Sequence, residues 1–175
     1  MTSYVRRGAR IVYENPWLRF EAHDILHPNG TPGEHGLVVT PPASAAVIVD
    51  GRDVLLERQQ RFGANASVLE VVKGGADDGE TALACAQRET REEIGIIADR
   101  WDALGIAYEI PSIVAHPVHL FLARDCRWVA RELETVESID LVRLPLDDAL
   151  AAVVEGRIDD AVSAIALLRA RARVA

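Results

Sequence analysis

Along the chain, apolar and polar positions first alternate at strand spacing and then recur at helical spacing. Arg10-Ile11-Val12-Tyr13, Trp17 to Leu26 and Gly36 to Thr40 read as strands around the turn His27-Pro28-Asn29-Gly30, which predicts a small antiparallel sheet. After Pro41-Pro42, the Val-rich runs Ser44 to Val49 and Asp53 to Arg58 flank Asp50-Gly51-Arg52, where Asp-Gly favours the positive φ of a tight hairpin. Val68 to Val72 is a further strand, followed by a glycine-containing loop from Gly74 to Gly79. From Glu80 to Ile94 the spacing of Leu83, Ala86, Thr90 and Ile94 predicts a helix with one buried stripe, and Gly95 supplies its stop. Trp101 to Ile110, Val118 to Ala123 and Ser138 to Leu144 read as strands, and helices are expected near Leu146 to Val154 and Asp159 to Arg171. Strands, one central helix, strands and closing helices predict an α/β layer fold. The expected division is an N-terminal β-sheet extension over 1–42 and a main domain over 43–175.

Composition narrows the partners more than the fold. With 175 residues, 49% apolar and 26% charged, the chain has the usage of an ordinary folded domain with one sizeable core. A formal net charge of −8 argues against tracking a nucleic-acid backbone or an anionic membrane through a basic surface, so neither partner is expected. A chain this acidic that handles phosphates needs metal ions or local arginines. Cys85 and Cys126 form no CxxC or Cys/His metal pattern, and Cys85 reads as a small packed side chain. The start Met1-Thr2-Ser3-Tyr4-Val5-Arg6-Arg7 has no apolar leader core, and no run approaches the roughly 18 apolar residues of a membrane span, so a cytoplasmic protein is expected. His23, His27, His35 and His119 show no metal-ligand spacing.

The segment GGADDGETALACAQRETREEIGI, from Gly74 to Ile96, carries the chemistry. On a helix Glu89 and Glu93 lie one turn apart with Glu92 beside them, so three carboxylates share a side. Like charges about 5 Å apart repel by about 3 kcal/mol at an effective dielectric near 20, so the cluster needs a cation or an arginine. Taken alone it fits either a solvated acidic face paired with Arg88 and Arg91 or a hard-oxygen site for Mg²⁺ or Mn²⁺. The segment resembles the Nudix box, written G-x5-E-x7-R-E-U-x-E-E-x-G-U with U bulky and aliphatic. Gly74, Glu80, Arg88, Glu89, Glu92, Glu93, Gly95 and Ile96 fall on its fixed positions, and Thr90 departs at the first U. Thr90 lies on the packed stripe, where its hydroxyl is expected to bond back to a main-chain carbonyl.

Resemblance to the Nudix hydrolases implies an α/β/α sandwich with a mixed sheet, and metal-dependent cleavage of a nucleoside diphosphate linked to a group X. It implies Mg²⁺ or Mn²⁺ held by Glu89, Glu92, Glu93 and the carbonyl of Lys73, with Glu80 pairing with Arg88 to hold the loop against the helix. Glu14-Asn15-Pro16-Trp17-Leu18-Arg19-Phe20, Pro28-Asn29-Gly30 and Arg58-Gln59-Gln60-Arg61 before Glu70 resemble the ADP-ribose pyrophosphatase and ADP-compound hydrolase branch. That resemblance implies ADP-ribose or a related nucleotide sugar as substrate, Arg58, Arg61 and Glu70 near it, and a homodimer built by the N-terminal sheet. Arg58 and Arg61 are phosphate forks or strand-end charges. Trp17 and Phe20 are expected to pack within the N-terminal sheet, with stacking on an adenine as the alternative.

Two departures stand out against that branch. Its post-box loop usually carries an acid that activates the attacking water, yet Ile110-Pro111-Ser112-Ile113-Val114-Ala115-His116-Pro117-Val118 holds no carboxylate. The base is then His116, Glu92, Glu93 or Glu109, with a structural loop role as the other reading of His116. Val71-Val72-Lys73-Gly74 replaces the usual Leu-Pro-Ala-Gly, a sign of divergent specificity. The rival readings are a hydrolase of ADP-containing dinucleotides, such as NADH or diadenosine polyphosphates, and a non-catalytic module that senses a nucleotide.

Overall fold

A computed structural model describes residues 3–133 and 138–174. Three strands, β1 (Val5–Glu14), β2 (Arg19–Leu26) and β3 (Pro32–Val39), form an antiparallel sheet in that order. Asn15 turns the chain between β1 and β2, its Oδ1 accepting the N–H groups of Trp17 and Leu18 at 2.9 Å each. Gly30, at φ 84°, closes the next turn by donating to the His27 carbonyl at 2.8 Å. Strand β1 starts five residues before the predicted Arg10, and every one of its residues is exposed. Phe20 packs over Gly36, where an added Cβ would meet its Cζ at 2.9 Å. Trp17, expected to pack in this sheet, is 74% exposed.

The loop Tyr108–His116 clusters with Met1–Pro41 as one compact unit. Its backbone runs beside β3: the Val38 N–H donates to Ile113 O at 2.7 Å and the Ala115 N–H to Val38 O at 2.9 Å. The single boundary expected between 42 and 43 therefore misses an excursion of the chain, because these long-range main-chain bonds leave no local pattern. The second unit comprises Pro42–Ala107 and Pro117–Ala175.

That unit is built on a mixed sheet. Its strands β4 (Ala43–Asp50), β5 (Asp53–Arg61), β8 (Ile96–Ala107), β9 (Val118–Trp128) and β10 (Ile139–Pro145) run in the order β10-β5-β4-β9-β8, and only β4 and β9 are parallel. The hairpin at Asp50-Gly51-Arg52 forms as expected, with Gly51 at φ 66°. Beyond Ile48 and Leu55 the two strands separate, and the run predicted as one strand from Val68 divides into β6 (Ala66–Glu70) on β5 and β7 (Val72–Gly75) on β4. Gly74 and Gly75, expected in a loop, are thus the end of a strand.

Strand alternation sorts the core into two layers. Ala46, Ile48, Leu55 and Val72 pack with Ala86 and Ile94 of helix α1 (Ala82–Ile94). Ala45, Val47, Val49, Val54 and Leu56 pack with Ala149, Val162, Ala166 and Leu167 of helices α2 (Leu146–Val154) and α3 (Ala161–Arg171). The result is the sandwich of helices on both faces of a sheet. No helix among the described residues is long and apolar enough to cross a membrane.

Candidate active site

Helix α1 begins at Ala82 rather than at the predicted Glu80, because the Thr81 side chain caps it by accepting the Ala84 N–H at 3.2 Å. Ser44 pins the same end by donating from Oγ to the Ala82 carbonyl at 2.7 Å. The buried stripe comprises Cys85, Ala86, Thr90, Glu93 and Ile94, whereas Leu83, expected on it, is 38% exposed. The stripe leaves Leu83 out in the first turn and takes in Glu93 in the last, so the helix buries an acid beside Ile94. Thr90 Oγ donates to the Ala86 carbonyl at 2.6 Å, which satisfies a hydroxyl buried in that layer. The Cys85 thiol is pushed up to about 11 by burial, so it is an inert packed group. Gly95 ends the helix in the left-handed region at φ 70°, and an added Cβ would meet the Val129 carbonyl at 2.6 Å.

Arg88 is the hub of the outer acidic surface. Its guanidinium donates to Glu80 at 3.1 and 3.0 Å, to Glu89 at 2.9 Å, to Glu92 at 3.1 Å and to the Gly75 carbonyl at 2.8 Å. Those carboxylates, the Glu80 bonds first, hold the guanidinium well above its ordinary value despite partial burial. Glu80, whose carboxyl is lowered chiefly by the Arg88 bonds, also accepts the Asp77 N–H at 3.0 Å. The loop 75–80 is thereby clamped to α1. Gly74 lets Glu89 pack close to the strand end: an added Cβ would stand 2.0 Å from Glu89 Oε1, so that side chain would have to swing away.

The inner surface is different. Alternation along β5 sends Glu57 to the same face as Leu55, toward α1, and its carboxyl lies against that of Glu93. Glu57 is fully buried and Glu93 is 4% exposed. Neither Glu57 oxygen has a hydrogen-bond partner among the described residues. Burial pushes the Glu57 carboxyl up to about 7, the contact with Glu93 acting in the opposite sense.

A third group lines a cavity of about 420 Å³ bounded by Arg61, Ser67, Glu70, Lys73, Asp159 and Asp160. Buried Glu70 accepts from Arg61 Nε at 2.6 Å and from Lys73 Nζ at 2.9 Å, and Lys73 also reaches Asp160 at 2.9 Å. For Lys73, burial works downward but the Asp160 and Glu70 carboxylates outweigh it, and the ammonium is raised. For Asp160, burial works upward but Lys73 and the Ser163 bonds outweigh it, and the carboxyl is lowered. Asp160 also caps α3 by accepting the Ser163 N–H at 2.8 Å.

The residues expected from the sequence divide accordingly. Glu80, Arg88, Glu89 and Glu92 come together; Glu93 sits inward with Glu57; Glu70 and Arg61 meet at the cavity. Arg58 does not join them, since it is exposed and lies on the opposite face of β5 from Arg61. His116 belongs to the first unit, where its Nδ1–H donates to the Thr40 carbonyl. Sequence reasoning missed Glu57, Asp160, the Lys73 side chain and Arg131, whose guanidinium holds the carbonyls of Glu93 and Ile139 at 2.6 and 3.0 Å. Glu57 alone left a signal, as an acid closing the apolar run Val54-Leu55-Leu56.

The donor set fits a hard divalent cation. Glu89 of α1 lies against the strand end at Gly74, and the Glu57 carboxyl, buried without a hydrogen-bond partner among the described residues, stands beside Glu93. No three such side chains are already drawn together as a metal cluster among the described residues, and Arg88 is bonded to both Glu89 and Glu92.

The chain belongs to the NUDIX family, whose domain matches residues 39–163, and it is accordingly a Nudix pyrophosphohydrolase. It is 30% identical to the CMP-5'-(N-acetyl-N-hydroxy-3-aminopropyl)phosphonate hydrolase of Streptomyces rubellomurinus (strain ATCC 31215), over 94% of this chain and 81% of that protein. It is 29% identical to the ADP-ribose pyrophosphatase of Bacillus subtilis (strain 168), over 89% of this chain and 86% of that one. A crystal structure of an ADP compounds hydrolase shares the fold, with a TM-score of 0.85 at 23% identity over 98% of this chain and 94% of that one. The branch that the N-terminal segment resembles is thus found among its relatives.

Proposed function

We propose that this enzyme hydrolyses the pyrophosphate bond of a nucleoside diphosphate linked to X, with ADP-ribose or a related nucleotide sugar as substrate and Mg²⁺ or Mn²⁺ as cofactor. The observation that carries it is the box geometry: Glu89 of α1 packs against the strand end at Gly74, Glu92 stands beside it on Arg88, and Glu93 turns inward against Glu57. Glu89, Glu92, Glu93 and the Lys73 carbonyl would hold the metal. Bound there, a divalent cation supplies charge neutralisation at the phosphoryl oxygens and lowers the pKa of a ligated water. Glu92, whose side chain is 33% exposed, is the box carboxylate open to solvent and is placed to take the proton of the attacking water. Glu93 is too buried for that exchange. His116 is occupied by Thr40 and acts as a loop support.

The Arg61–Glu70–Lys73–Asp160 cavity is the place for the substrate, with Arg61 the cation that a phosphate competes for. Arg58, on the other face of β5, is dropped from the substrate contacts. The all-exposed β1, carrying Val5, Ile11, Val12 and Tyr13, supports a homodimer through the first unit. A second reading, a nucleoside phosphoryl group on a different X, is favoured by the phosphonate hydrolase relative and by the Lys73 side chain filling the cavity wall.

A hydrolysis screen with Mg²⁺ and Mn²⁺ over ADP-ribose, sugar nucleotides, NADH, diadenosine polyphosphates and cytidine phosphonates tests this, with sedimentation for the dimer. Cleavage of ADP-ribose or a nucleotide sugar is expected. Binding of ADP-ribose without cleavage of any compound would establish the sensing module instead.

A further inference from the structure

We propose that Glu57 is an additional carboxylate ligand of the active-site metal, supplied from β5 opposite Glu93 of α1. This inference rests on the metal-dependent reading above and adds a ligand from outside the Gly74–Ile96 segment.

Three observations carry it. The first is position. The unshifted register of β5 with both β6 and β10 fixes alternation along the strand, so Glu57 must face α1 as Leu55 does, and there it meets Glu93. The second is the absence of any donor. Both Glu57 oxygens are buried without a hydrogen-bond partner among the described residues, whereas buried polar groups in folded proteins are as a rule bonded. The third is the contrast with Glu70, the residue opposite Glu57 on β6. Glu70 is just as buried, yet Arg61 and Lys73 both bond to it, at 2.6 and 2.9 Å.

An aliphatic residue would fill position 57 without desolvating a charge, since Leu55 and Leu56 precede it in the same core strand. Two carboxyl groups pressed together in a buried place can share either a proton or a cation. The charges of Glu70 and Glu89 also act against the Glu57 carboxylate, and a divalent ion would answer this surplus of negative charge better than a single proton. With Glu57 on the strand and Glu93 on the helix, the ion would be gripped from two elements and would tie α1 to the sheet.

The test is Mn²⁺ binding followed by electron paramagnetic resonance, together with the thermal upshift that Mn²⁺ produces, in wild type, Glu57→Gln and Glu57→Leu. Glu57→Gln keeps the shape and controls for folding. Both variants should bind Mn²⁺ at least about tenfold more weakly, as removal of a metal-site carboxylate predicts. Glu57→Leu should also melt higher than wild type without metal, and its melting should hardly respond to Mn²⁺. If wild type binds Mn²⁺ and both folded variants bind it equally well, Glu57 and Glu93 merely share a proton and the proposal is overturned alone. If wild type binds no Mn²⁺ at all, this inference and the metal-dependent reading fall together.

Discussion

The outer and inner acids of the site are the same side chain in opposite circumstances. Outside, Glu80, Glu89 and Glu92 are all bonded to Arg88 within 3.1 Å. Inside, Glu57 and Glu93 face each other in the core, and neither Glu57 oxygen has an arginine or lysine hydrogen-bonded to it among the described residues. The outer acids carry their own counter-charge and can assemble as soon as the chain folds. The inner pair is a local cost of folding that a cation from solution would relieve. A protein can thus hold the loop of a phosphate-handling site in place with one arginine and still leave negative charge available for a metal.

Each part of that contrast can be broken separately. The largest effect is expected from Glu93→Gln, which should lower kcat/KM on the best substrate at least about 100-fold, near 2.7 kcal/mol, with the fold intact by circular dichroism. Turnover equal to wild type would remove Glu93 from the metal site. Arg88→Ala leaves the outer acids to repel. Breaking a buried pair costs more, but this guanidinium side chain is 27% exposed, so about 2 kcal/mol of unfolding free energy should be lost. Mg²⁺ should restore part of it, and an unchanged denaturant midpoint would show that Arg88 is no hub.

Gly74→Ala tests the junction between the two surfaces. The methyl group would displace Glu89, so activity should fall about tenfold while melting changes little. A drop in stability without a drop in activity would assign Gly74 to folding instead.

The smallest effect lies at the cavity. Asp160 has a folded pKa below its ordinary value, so its stabilisation is present above about pH 4 and is lost as pH falls through the lowered value. Asp160→Asn should cost about 1 kcal/mol at neutral pH and show a flatter acid limb in urea melts. Parallel acid limbs in the two proteins would show that the ion pair with Lys73 contributes nothing.

What the sequence disclosed follows the reach of each signal. The Asp50-Gly51 hairpin, the Gly95 stop and the box from Gly74 to Ile96 are local patterns, and each appears in the structure at its predicted place. The helix starts at Ala82 and not at Glu80 because the Thr81 side chain caps it there. Arg58 and Arg61 looked like a pair until strand alternation sent them to opposite faces. Lys73 with Asp160, 87 positions apart, and Arg131 with Glu93, 38 apart, meet through tertiary packing that no spacing rule contains. Glu57 was visible as an acid in an apolar run, but its meaning needed the helix that packs over it.

The excursion of Tyr108–His116 bears on how the enzyme can be trimmed. Because Val38 and Thr40 supply main-chain partners to Ile113, Ala115 and His116, deleting the first 41 residues would strand a nine-residue loop between β8 and β9 with those three hydrogen bonds unmade. The two units are separate by packing but interleaved along the chain. A shortened enzyme would need a redesigned β8–β9 connection, and swapping the first unit between homologues would require both segments to travel together.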